Sequence, residues 1–130
     1  MKQENKELLL RDLCSRLPYG VMAEYYDAEE ECKCDADIDY IDISASARPE
    51  VGISQYVLPI EEVKPYLFPM SSMTDIQKEI YKTYKQSLKD EKYFIENFTS
   101  LQYWLYANHF DVNKLIEKGL AIDATGLNIY

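Results

Sequence analysis

From Cys34 to Ile43 the chain reads CDADIDYIDI, acids alternating with apolar or small residues at a period of two. A helix would scatter those acids around its circumference. A strand instead sets Asp35, Asp37 and Asp39 on one face and Ala36, Ile38 and Tyr40 on the other. The pattern therefore demands a half-buried strand with a solvated acidic face. Past Tyr40 the apolar positions change from even to odd numbers (Ile41, Ile43), and a β-bulge near Tyr40–Ile41 reconciles the two halves. Like charges on alternate positions also discourage pairing with a foreign strand.

Such a strand needs neighbours. Val21 to Asp27 (VMAEYYD) and Ile53 to Leu58 have the β-branched and aromatic texture of two more, joined through Ala28–Glu31 and Ser44–Gly52 into an antiparallel meander. Pro59, which cannot donate to a ladder, closes the third strand. Three strands need a cover on one face. Residues 5 to 17 supply it as a helix with Leu9 or Leu10, Leu13, Cys14 and Leu17 on one stripe and charges opposite, ended by Pro18 and Gly20.

Pro65 and Pro69 make residues 60 to 70 an irregular connector, pinned by Val63, Tyr66, Leu67 and Phe68. Thr74-Asp75-Ile76-Gln77 is a capping box. It opens a helix from Asp75 to about Leu88 with Ile76, Ile80, Tyr84 and Leu88 on one face. Residues 92 to 97 fit neither template. A short helix through Leu101, Trp104 and Leu105 ends at Asn108-His109. Asp111 then caps another over residues 112 to 118, stopped by Gly119 with a Schellman contact between Leu120 and Leu115. The expected fold is one α+β domain over residues 1–130. It comprises an N-terminal helix, a small antiparallel β-meander for which an SH3-like partial barrel is one closure, and short C-terminal helices.

Charge narrows the function. Residues 24 to 42 hold nine acids against Lys33 alone, which is −8 of the chain's −9. Neutralising phosphates takes Lys and Arg, so direct nucleic-acid binding is not expected. No apolar run approaches the roughly 20 residues of a membrane span, and the charged N-terminus is a poor signal peptide, so the expected address is the cytoplasm without membrane association. Three cysteines, an odd and sparse set, fit reduced thiols in that compartment.

The chemical motifs fail one by one. As a calcium loop, Asp35-x-Asp37-x-Asp39 requires Gly and Glu where Tyr40 and Ser46 stand. Cys32 and Cys34 lack a second pair for zinc; Cys14 and His109 are at no zinc-site spacing, and no C-x-x-C exists. His109, the only histidine, has Asp111 nearby in sequence and Cys14 or Cys34 as conceivable nucleophiles, but helix-end chemistry accounts for it. Ser71-Ser72 has no nucleophile-elbow context, and four glycines make no phosphate-cradling loop. No catalytic, cofactor-binding or metal residues are expected, and no cofactor. Twelve tyrosines exceed what a core can bury with satisfied hydroxyls, so some should face solvent, where aromatics favour protein interfaces.

KPYLFPMSSMT (64–74), HFDVNKLIEKGLAIDA (109–124) and LLLRDLCSRLPYGV (8–21) together resemble a family of small uncharacterised bacterial proteins, many of them carried by prophages or other mobile elements. The family tends to have Tyr-Arg-Gly where this chain has Val112-Asn113-Lys114. The resemblance implies membership and a genomic context, and supplies no activity or catalytic residues to carry over. The leading expectation is a non-enzymatic, phage- or mobile-element-derived protein that binds a protein partner, with the acidic face at Asp35, Asp37 and Asp39 as one candidate surface and exposed tyrosines as another. Alternatives are an acidic nucleic-acid mimic that inhibits a DNA-binding protein, and a small enzyme using Cys14 or Cys34 with His109.

Overall fold

In the computed structural model, which describes residues 1–44 and 48–130, the acidic stretch is the long second strand of a six-stranded sheet. Helix α1 (Gln3–Arg16) precedes β1 (Met22–Asp27) and β2 (Cys32–Asp42). A hairpin of β3 (Glu50–Ile53) and β4 (Tyr56–Pro59) follows, then β5 (Lys64–Leu67), α2 (Asp75–Ser87), α3 (Phe94–Ala107) and the two-residue β6 (Ile122–Asp123). The strand order is β4-β3-β2-β1-β5-β6, antiparallel except for the parallel β5–β6 pair. This is the expected α+β class. The ladder is open, with β4 and β6 as its edges, so an SH3-like closure is not seen.

The bulge falls one residue earlier than expected. Ile38 pairs with Ile53 and Tyr40 with Gly52, which leaves Asp39 as the extra residue. Ile38 and Ile41 therefore both pack on the core side, as the change of phase requires, but Tyr40 turns to the other face and is half exposed. Its ring covers Gly52, where a Cβ would collide with it; glycine is needed there for a close approach.

Three sequence expectations are corrected. Ile53–Leu58 is no single strand: Ser54 takes a positive φ of 56° and turns the chain into the β3–β4 hairpin, so residues 50 to 52 of the expected connector are strand. The rest of that connector, including Ser46, lies partly outside the described residues. Residues 64 to 67 are strand despite Pro65, because complete burial of Val63 and Leu67 and near-complete burial of Tyr66 outweigh one missing donor. Residues 112 to 118 form turns, not a helix, since Lys114 adopts a positive φ of 57°. The expected cap and stop are nevertheless present. Asp111 accepts from the amides of Leu115 and Ile116 at 2.8 and 2.9 Å, and Leu120 and Gly119 donate to Leu115 and Ile116 in the Schellman pattern.

α1 lies across one face of the sheet, with Leu9 and Leu13 fully buried against Val21, Ala23, Ile38, Val51 and Ile53. Each leucine contributes about 1.5–3 kcal/mol. Cys14, expected on this stripe, is exposed. Asp12 and Arg16, expected among the outward charges, are buried instead, at 1% and 0% exposure. Arg16 Nε and Nη2 grip the Asp12 carboxylate at 2.6 and 3.1 Å, and Nη2 also donates to the Phe110 carbonyl at 2.7 Å. Asn113 donates to the same carboxylate at 2.8 Å, and the Tyr106 ring lies 5.0 Å from the guanidinium carbon. One ion pair thus ties α1 to α3 and to the segment after it.

A second cluster of Met73, Leu101, Leu105 and Phe110 is completed by Trp104, Tyr81, Tyr84 and Leu88. The Thr74–Gln77 capping box opens α2 as expected. Residues 91 to 93 make a single 3-10 turn, and α3 starts at Phe94, so the undecided 92–97 stretch is helical.

Removing one member of the buried pair leaves the other charge without a partner. Asp12→Ala should lose about 3–5 kcal/mol in urea unfolding, whereas the paired change Asp12→Leu with Arg16→Met recovers most of it. A loss below about 1 kcal/mol for Asp12→Ala would contradict the role given to the pair.

Candidate functional site

Three surfaces compete. The first is the sheet face opposite α1. Asp35, Asp37 and Asp39 are all exposed there, and the β1–β2 register puts Glu24 beside Asp35 and Met22 beside Asp37. The track is less acidic than its sequence suggests. Lys33 Nζ lies 3.5 Å from Glu24, Lys64 pairs across the ladder with Glu24, and Asp35 accepts the hydroxyl of buried Tyr66. Burial and that bond to Asp35 push the Tyr66 phenol well above its ordinary value. On the other, α1-covered face, at the end of β1, Asp27 accepts from Tyr56 at 2.7 Å, which holds its carboxyl low and pushes the phenol up to about 12.

The second is a cleft of about 470 Å³ around His109, between the start of α2 and the segment that follows β6. His109 sits just past α3 with a positive φ of 62°. Its amide donates to Tyr106 and that of Phe110 to Leu105, the Schellman pattern again with His in the glycine position. Such a left-handed residue costs on the order of 1–3 kcal/mol. The ring is held by stacking on Tyr130, 3.5 Å between centroids and 9° between planes. Tyr130 in turn accepts from the Met22 amide and donates to the Tyr66 carbonyl, and burial pushes its phenol up to about 12. Burial, assisted by the Arg16 charge and opposed by Asp37, pushes His109 down from 6.5 to about 4. Among the described residues, His109 Nδ1 and Arg16 Nη1 are both buried without a partner.

The pairing of His109 with a cysteine does not assemble among the described residues. Cys14 is on the exposed side of α1, and neither it nor Cys34 lines the cleft. Asp111 is occupied by the backbone amides of Leu115 and Ile116. Cys32 and Cys34 face each other with 3.6 Å between sulfurs, and that contact pushes the Cys34 thiol up to about 11, away from nucleophilic use. Among the described residues no three of His, Cys, Asp and Glu converge as metal ligands. Among the described residues no helix is long and apolar enough to cross a membrane.

The third surface was not foreseen. Helix α2 buries none of its 13 residues completely. It rests on Gln77, Tyr81, Tyr84 and Leu88, with Tyr81 and Tyr84 against Trp104. Ile76 and Ile80, expected on the packed face, are rotated outward. Ile76 is 74% exposed, and on α3 Ile95 is 76% exposed beside the stacked pair Phe94–Phe98. Several of the twelve tyrosines face solvent as expected, Tyr26, Tyr40 and Tyr103 among them.

The His109 shift has a testable sign. The unfolded chain takes up the imidazole proton at a higher pH than the folded one, so stability falls as pH drops from about 6.5 to about 4 and levels off below. Urea midpoints of His109→Asn, a residue that tolerates the left-handed backbone, should show a shallower fall over that window. Asp27, Asp42 and Glu61, all held low, add their own losses at the acid end in both proteins. An unchanged slope in the variant would contradict the assignment. Compared with protein-family models, with curated proteins and with solved structures, the chain finds no match.

Proposed function

We propose that this is a non-enzymatic binding protein, derived from a phage or mobile element as the resemblance above implies, that holds a protein partner on the α2–α3 surface. The observation that carries the reading is the exposure of Ile76, Ile95 and the Phe94–Phe98 stack on helices anchored by only part of their circumference. Large apolar side chains that the fold could have turned inward are expected at contact surfaces, and aromatics are enriched at the centres of interfaces. Residues 75 to 96 carry five acids and five lysines, so this part of the chain is neutral. The complementary feature is an apolar segment of another protein, and recognition depends little on salt. The acidic-mimic reading has less support, since Lys33 and Lys64 interrupt the track formed by Glu24, Asp35 and Asp37.

A photo-crosslinking residue at position 76 or 95, expressed in the producing cell, should capture the same discrete protein from both positions. The yield should be similar at about 0.05 and about 0.5 M salt. Ile76→Glu with Ile95→Glu should abolish capture by a crosslinker at Ile80 and change stability by no more than roughly 0.5 kcal/mol, because both side chains are exposed. Capture from positions 35 and 37 but not from the helices would favour the acidic face instead. Capture of a second copy of this chain would replace the foreign partner with self-association.

A further inference from the structure

We propose that the cleft beside His109 binds an uncharged heterocycle of the nucleoside class. Its volume of about 470 Å³ falls in the range that small-molecule sites occupy. Among the described residues that line it there is no Lys, Arg, Asp or Glu. A charged ligand would therefore shed water without gaining a counter-charge. The free hydrogen-bonding capacity is amide-like. Gln77 spends its side-chain oxygen on the Thr74 amide, which leaves its NH2 group uncommitted. Asn108 spends its NH2 group on the Trp104 carbonyl, which leaves its oxygen uncommitted. One donor group and one acceptor in the same cleft complement the adjacent acceptor and donor on a base edge. Phe68 and Tyr130 provide apolar and aromatic surface for the ring, and the Thr125 hydroxyl is available to a ribose. A nucleotide is disfavoured, because its phosphate would meet no cationic side chain in this lining and a chain of net charge −9.

The left-handed backbone at His109 and its stack on Tyr130 form one wall of this cleft. The site is separate from the exposed apolar positions of α2 and α3 and does not depend on a partner protein there.

The test is an NMR titration of the full chain with adenosine, cytidine and uridine in turn, with the corresponding 5′-monophosphate and glucose as further arms. At least one nucleoside should shift the side-chain amides of Gln77 and Asn108 and the His109 ring with a Kd near about 10⁻⁴ M, the value that ordinary ligand efficiency gives a molecule of that size. Its monophosphate should bind at least about tenfold more weakly, and glucose should move none of these signals. Gln77→Leu should weaken binding about tenfold, and so should Thr125→Leu, whose side chain caps no helix and whose loss leaves the fold intact. The proposal is overturned if no nucleoside shifts these signals at about 10 mM, if the monophosphate binds as tightly, if glucose gives the same shifts, or if Thr125→Leu binds unchanged.

Discussion

The buried pair of Asp12 and Arg16 is the interaction on which the rest of the arrangement depends. Removing two charges from water costs several kcal/mol per ion, and only good geometry with further hydrogen bonds offsets it. The offset here comes from outside α1. The Phe110 carbonyl and the Asn113 side chain extend the network to every polar atom of the pair but Arg16 Nη1, so residues more than ninety positions away in sequence must stand beside the helix. Phe68 then joins β5 to this segment, donating to His109 and accepting from Asp111 at 2.8 Å each. The cleft, the left-handed His109 and the second apolar cluster inherit their positions from that junction.

The sheet and the α2–α3 pair divide the remaining tasks. Acidity is concentrated on the interior strands β1 and β2, which are paired on both sides and so need no charge to repel a foreign strand, and the acids partly pair with Lys33 and Tyr66. The helices are neutral and carry the apolar exposure. The proposed partner surface is thereby kept apart from the segment that carries nearly all of the chain's net negative charge.

Much of the architecture was legible, and the failures have physical causes. Alternation at 34 to 43 specified β2 and demanded a bulge, because period-two geometry leaves no other way to bury both Ile38 and Ile41. The Thr74 capping box and the Gly119 stop were readable because they are local chemistry. Pro65 misled, since burial of Tyr66 and Leu67 decided for a strand. Asp12 and Arg16 were assigned to water by type alone, although their spacing to Leu9 and Leu13 sets them on the same helical stripe. That spacing was the signal. The outward rotation of Ile76 and the assembly of the His109 cleft depend on contacts between distant segments, for which one sequence carries no local pattern.

Native-state amide hydrogen exchange tests the central role of the buried pair most directly. The amides of Phe68, Asp111 and Leu115 hold the segment that Arg16 anchors, and should exchange only at the free energy of global unfolding measured with urea. Amides in the middle of α2, a helix without a fully buried residue, should exchange through cheaper local opening. If Asp111 and Leu115 exchange as readily as the middle of α2, the ion pair does not organise the fold.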